Sequence, residues 1–172
     1  PLRQGRVLDS GLLIMSKYPI ADFAFHAFGN SSGFDTLSDK GVMMAHLEIS
    51  VGDKKADLII ANTHLNAGGG VQYAQTVEAT NALNKVIDSR KVTLDISRVP
   101  GIAAGDFNTD ERDDNQTAQS EDYLHILEAL GPDTKDLYRH VQGSEPLGNT
   151  LGQSRIDFVF GVSGEYTVVQ AD

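Results

Sequence analysis

The stretch Gly101-Ile102-Ala103-Ala104-Gly105-Asp106-Phe107-Asn108 decides the fold. A short apolar run stops at a glycine, an acid and an amide. That is the pattern of a buried strand delivering polar groups to the rim of a sheet. Asp106 brings two anionic oxygens, and Asn108 brings a donor and an acceptor on one amide. At a strand end such a pair can touch a metal, a phosphate or an attacking water.

The same pattern recurs along the chain. Leu58 to Ala61 is apolar and runs into Asn62-Thr63-His64. Arg155 to Phe160 sets Asp157 between Ile156 and Phe158. Strand ends of one sheet converge on one rim, so His64, Asp106, Asn108 and Asp157 are the candidate site residues. Imidazolium can neutralise a phosphoryl oxygen or protonate a leaving group. A carboxylate can hold metal or orient water. Singly, each residue is weak evidence: a lone strand-end histidine is more often structural, and Asp157 by itself also reads as a buried acid paired with Arg155.

A short continuous apolar run predicts a strand over Gly11–Ser16, period-two alternation predicts strands over Ala21–Phe28 and Val42–Ile49, and Tyr166–Val169 is read as a last short strand. A helix is predicted over Gln72–Lys91, with Ala79, Ala82, Leu83, Val86 and Ile87 on its core face. Gln72, Gln75 and Thr76 continue that face, either toward a polar site or as a solvated first turn. Ser120 caps a second helix, with Glu121 and Asp122 in its first turn and Tyr123, Leu124, Leu127 and Leu130 as its stripe. Gly131-Pro132 ends it. Strands with inserted helices give an α+β class with helices over a mostly antiparallel sheet.

With 172 residues the chain fits one domain or part of a larger one. It has no cysteine, which excludes thiol nucleophiles, disulfides and thiolate metal sites. A metal would take oxygen and imidazole ligands, which suits Mg2+ or Mn2+. The net charge of −10 counts against nucleic acid as a partner, as does the acidic run Asp110–Asp114. No apolar run is long enough for a transmembrane helix. Asn30-Ser31-Ser32 and Asn115-Gln116-Thr117 are read as chance sequons.

Four segments together resemble the endonuclease/exonuclease/phosphatase superfamily, typified by deoxyribonuclease I. They are Ser10-Gly11-Leu12-Leu13-Ile14-Met15-Ser16-Lys17-Tyr18-Pro19-Ile20, Asn62-Thr63-His64-Leu65, Gly105-Asp106-Phe107-Asn108 and Arg155-Ile156-Asp157-Phe158. The resemblance covers nearly the whole chain. It implies a four-layer αββα sandwich, incomplete at both ends, with residues 1–172 as the central part of a single domain. Within the superfamily, Gly33-Phe34-Asp35 and Ser38-Asp39-Lys40-Gly41-Val42 are similar to neutral sphingomyelinases. That similarity places Asp35 and Lys40 near the active site as substrate-binding or regulatory residues. Without it they read as a solvated turn with a local ion pair.

The resemblance also implies roles. His64 serves the phosphate side, Asp106 the water or a metal, Asn108 both phosphate and metal, and Asp157 the support of the site. His26, His46, His125 and His140 match no segment and are read as structural or exposed. Only nine residues precede Ser10, so the metal-binding Glu segment of the family is absent, and so is its C-terminal Ser-Asp-His. An Arg that often opens the helix after Thr-His-Leu is also missing, with Tyr73 in that region. The implied reaction is Mg2+-dependent cleavage of sphingomyelin to ceramide and phosphocholine, with little or no turnover expected from residues 1–172 alone. The partner is a phospholipid or another phosphodiester, with peripheral membrane contact and a secreted or membrane-peripheral setting. The alternatives are a nuclease or inositol-phosphate phosphatase of the same superfamily, and a non-catalytic lipid- or protein-binding module.

Overall fold

A computed structural model describes residues 7–94, 99–113, 118–143 and 148–164. Six strands form one sheet. They are β1 (Ile20–Ala27), β2 (Gly41–Val51), β3 (Lys54–His64), β4 (Gly101–Asp106), β5 (Lys135–Asp136) and β6 (Asp157–Ser163), in the order β1-β2-β3-β4-β6-β5. Helices α1 (Gln72–Leu94), α2 (Glu121–Leu130) and α3 (Leu137–Gln142) complete the fold. Every strand pairing is antiparallel except β3 with β4, which α1 joins as a crossover. Parallel neighbours need such a connection, because no tight turn can return the chain to the same end.

Helices α1 and α2 cover one face of the sheet. Val42, Met44, Ile59, Ala61, Ala103, Phe158 and Phe160 meet Ala79, Ala82, Leu83 and Ile87 of α1 and Tyr123, Ile126 and Leu130 of α2. The α1 stripe is the one expected from its spacing. In α2 the buried set is Tyr123, Ile126 and Leu130, with Leu127 packed at its edge and Leu124 exposed. Leu124 therefore leaves the predicted stripe, since the i, i+3, i+4, i+7 series starts at Tyr123 and passes through Ile126 and Leu127. Ser120 caps α2 as expected, its Oγ accepting from the Tyr123 N–H.

Of the expected four layers, the described residues form one sheet and one helical layer. On the opposite face, Phe23 and Val159 are exposed, and the Asn62 side chain donates to the Leu13 carbonyl. Gly11–Ser16 crosses there without forming a strand: it has no ladder among the described residues, and Leu13 and Met15 are exposed. An apolar run becomes a strand only where neighbours take up its backbone groups, as β2 and β4 do for β3. Tyr166–Val169 and the Asn115 sequon lie outside the described residues.

Candidate active site

The register of the sheet assembles the site. His64 on β3 lies opposite Asp106 on β4, and Asp106 lies opposite Asp157 on β6. In-register residues share a face, so three polar side chains stand side by side at the end of three adjacent strands. His64 Nε2 is 3.6 Å from Asp106 Oδ2, and both side chains are partly open to solvent. Asp157 is exposed at the end of the row. It does not pair with Arg155, whose guanidinium is buried against Glu111 and Asp136, each at 2.8 Å.

Gly105 allows the row to close. Its φ is 134°, and a Cβ built there would lie 1.9 Å from the Thr63 carbonyl oxygen. Only glycine lets β4 approach β3 this closely just before Asp106. Beyond it, Asn108 takes a left-handed φ of 47°, which asparagine tolerates better than most residues. Its N–H donates to Asp106 Oδ1 at 2.7 Å and its Nδ2 donates to the Leu65 carbonyl at 2.8 Å. The carboxylate and the amide are thus fixed against each other.

Asp35 and Lys40 come to the same place. Lys40 Nζ donates to the Leu65 carbonyl at 2.7 Å, and Asp35 Oδ2 is 3.6 Å from Nζ and accepts from the Ala67 N–H at 2.9 Å. Lys40 is only 7% exposed, so this is no solvated surface pair. Burial pushes the Lys40 ammonium below its ordinary pKa, and Asp35 and then Asp106 offset part of that shift.

The start of α1 is a buried polar junction rather than a solvated first turn. Gln75 and Thr76 are fully buried. Gln75 Oε1 accepts from the Asn66 N–H, and its Nε2 donates to Asn66 Oδ1 and the Asn30 carbonyl. Glu78, one turn on, accepts from both the backbone and the side chain of Asn30 and from the Gly29 N–H. Burial alone would raise the Glu78 carboxyl, but these donors outweigh it and hold its pKa below the ordinary value. Gln75, Glu78 and Asn66 carry no catalytic chemistry, yet they hold the loops that bring Asp35 to Leu65. The polar continuation of the α1 stripe points to Gln75 in the sequence, whereas Glu78 and Asn66 carry no such signal.

Among the described residues no group of three His, Cys, Asp or Glu side chains is placed to hold a metal ion. Asp106 and Asn108 are oxygen donors of the kind Mg2+ accepts alongside retained waters and substrate phosphate. They fit a share of such a centre and do not close one. A cavity of about 470 Å³ opens beside Asp157, lined by Ala104, Tyr138, Thr150 and Val159 among others.

No family model matches the chain. It is 30% identical to mouse sphingomyelin phosphodiesterase 3 over 151 residues, which is 81% of this chain and 22% of that protein. It is 31% identical to the human protein of the same name over 142 residues, 74% of this chain and 21% of that one. The chain therefore spans about a fifth of the length of these relatives. The Staphylococcus aureus beta toxin 275-280 structure matches with a TM-score of 0.61 at 18% identity, covering 92% of this chain and 55% of the toxin. The human Nocturnin catalytic domain with bound sulfate matches at 0.56 and 21%, covering 84% and 48%. A Bacteroides thetaiotaomicron endonuclease/exonuclease/phosphatase family protein matches at 0.51 and 20%, covering 84% and 51%. By sequence the chain is thus a homologue of the sphingomyelin phosphodiesterases, and its fold is the deoxyribonuclease I-like fold of its structural neighbours in the endonuclease/exonuclease/phosphatase superfamily.

Proposed function

We propose that this chain carries the phosphate-contacting part of a phosphodiesterase site that cleaves sphingomyelin-like phospholipids to ceramide and phosphocholine. The observation that carries the reading is the single row of His64, Asp106 and Asp157, with Asn108 locked onto Asp106. The similarity to sphingomyelin phosphodiesterases supports the lipid over other phosphodiesters, and so does the net charge of −10, which disfavours a polyanion.

In this reading a phosphodiester lies across the row. His64, as imidazolium, donates to a non-bridging oxygen or to the departing alkoxide. Asp106 accepts a proton from the water that attacks phosphorus and holds that water in line. The second N–H of the Asn108 amide is left to donate to phosphate, since the first is held by Leu65. Asp157, at the end of the row, supports the orientation of the acidic and basic groups. Lys40 and Asp35 position the Leu65 carbonyl, and through it Asn108. Mg2+, which is bound in a beta toxin mutant structure matching at a TM-score of 0.55, would be held by the Asp106 carboxylate and the Asn108 amide oxygen and would neutralise phosphate charge. The purified residues 1–172 are expected to bind ligand without appreciable turnover, because the oxygen donors among the described residues do not close a metal centre.

The test offers sphingomyelin, plasmid DNA and inositol phosphates, with Mg2+, to a longer protein that contains residues 1–172. Faster release of phosphocholine than of nucleotides or phosphate supports the lipid substrate, and the reverse order overturns it. Brisk Mg2+-dependent turnover by residues 1–172 alone overturns the expectation of an incomplete centre. Peripheral membrane contact belongs to the same proposal; no helix among the described residues is long and apolar enough to cross a membrane.

A further inference from the structure

A small cleft opens between the N-terminal ends of α1 and α2. Tyr73, Asn108, Thr109, Asp122, His125 and Ile126 are among the residues that line it. Its chemistry differs from that of the row beside it. The Tyr73 and His125 rings meet edge to face, with centroids 5.9 Å apart and planes at 65°. The Tyr73 side chain is 46% exposed, so part of its ring is free of the core. Asp122 adds a carboxylate, and Thr109 and Ile126 are buried. Among the described lining residues there is no Lys or Arg.

Aromatic faces with one carboxylate and neither Lys nor Arg beside them favour a cation. A quaternary ammonium is the best-suited occupant, because it is large, weakly hydrated and attracted to a ring without needing a hydrogen-bond acceptor. An anionic extension, such as a second phosphate of a nucleic acid or an inositol phosphate, would face Asp122 unpaired. Asn108 links the two regions, because it belongs both to this cleft and to the row with Asp106. A phosphate at Asn108 would place a substituent linked through two or three further atoms within reach of the cleft.

We propose that Tyr73, His125 and Asp122 form a subsite for the quaternary ammonium end of the substrate. The subsite rests on the phosphodiesterase reading of the adjacent row and makes that reading specific: the cationic head group is selected here, and the phosphate is handled at Asn108 and His64. It also gives Tyr73 a role in the region where the superfamily resemblance leads one to expect an arginine, since a cationic side chain at that position would repel such a head group.

The experiment is a pair of titrations of the 172-residue chain followed by NMR. Choline chloride, against sodium chloride of equal ionic strength, probes the cleft at the ring resonances of Tyr73 and His125. Inorganic phosphate with Mg2+ probes the row at His64 and the Asn108 amide. Saturable choline-dependent shifts of Tyr73 and His125 are expected. Tyr73→Ala should weaken choline binding by roughly 2- to 30-fold, and Tyr73→Phe should keep it within about twofold. Asp122→Asn should weaken it by roughly 2- to 5-fold. No saturable shift at these rings overturns the subsite, and so does unchanged choline affinity in Tyr73→Ala or Asp122→Asn. Absence of phosphate-dependent shifts at His64 and Asn108 would overturn the reading of the row and leave the choline result standing by itself, so the two failures are distinguishable.

Discussion

Lys40 and Asn108 donate to the same acceptor: the Leu65 carbonyl oxygen takes the Lys40 Nζ at 2.7 Å and the Asn108 Nδ2 at 2.8 Å. Leu65 follows His64 directly, and its own N–H donates to the Asp106 carbonyl at 2.9 Å. The backbone of this one residue therefore couples the Asp35–Lys40 pair to Asp106 and Asn108. Lys40→Ala leaves Asp35 without its cation and removes one of the two donors to Leu65. The expected cost is about 1–3 kcal/mol of stability, measured as a fall in the urea midpoint at constant slope. A loss below about 0.5 kcal/mol would mean that Lys40 does not hold this junction.

Arg155 opens the Arg-Ile-Asp segment, but its task is structural. It is 4% exposed and bridges Glu111 and Asp136, while Asp136 also accepts from the Tyr123 hydroxyl and Glu111 pairs with Arg139. Burial, reinforced by Asp136, drives the Tyr123 hydroxyl pKa well upward, so it stays a donor. Arg155→Ala leaves buried Asp136 without this cation and Glu111 with Arg139 alone, and should cost about 3–5 kcal/mol. Arg155→Lys should recover little of this, since an ammonium cannot reproduce the two-sided fork. Urea unfolding of both variants checks the pair; a lysine variant as stable as the parent would contradict this account.

Glu78 makes the loop at Gly29–Asn30 sensitive to acid. Its folded pKa lies below the ordinary 4.5, so the unfolded chain takes up its proton first as the pH falls. The stabilisation is fully present above 4.5 and is lost as pH drops through the lower folded value. His26, 3.7 Å from the carboxylate, is the nearby base. The Gly29 amide proton should titrate with a midpoint below 4.5 in the parent and lose that titration in Glu78→Gln. A midpoint above 4.5 would reverse the sign and sink the assignment.

Gly105→Ala tests how the row is closed. The new Cβ meets the Thr63 carbonyl at a φ of 134°. Backbone strain of this kind costs of order 1–3 kcal/mol, and the overlap should also push β4 away from β3. Loss of the His64–Asp106 register should appear in the NMR contacts between the two strands, whereas an alanine variant of unchanged stability and contacts would contradict the close approach.

Much of this was legible in the residues because local pattern and tertiary use coincide. The apolar run before His64 and the one before Asp106 became adjacent strands with those residues at their ends, and Ala79, Ala82, Leu83 and Ile87 became the buried stripe of α1. Gly11–Ser16 has an equally apolar pattern and formed no strand, because pairing depends on neighbours that a local pattern does not encode. Asp157 could be read as a partner of Arg155, and only the sheet register separates the acid in the row from the arginine beneath it. His125 matched no segment, and its meeting with Tyr73 depends on how α1 and α2 pack. The sharing of Leu65 by Lys40 and Asn108 is a long-range backbone contact with no signature in composition or spacing.

The central claim is that His64 and Asp106 act together on a phosphodiester. The direct measurement is the Mg2+-dependent release of phosphocholine from sphingomyelin by a longer protein that contains residues 1–172, compared with its His64→Ala and Asp106→Ala variants. Each substitution is expected to lower the rate by roughly 10²–10⁴-fold while the urea midpoint stays near that of the parent. Near-normal release by either variant would contradict the account.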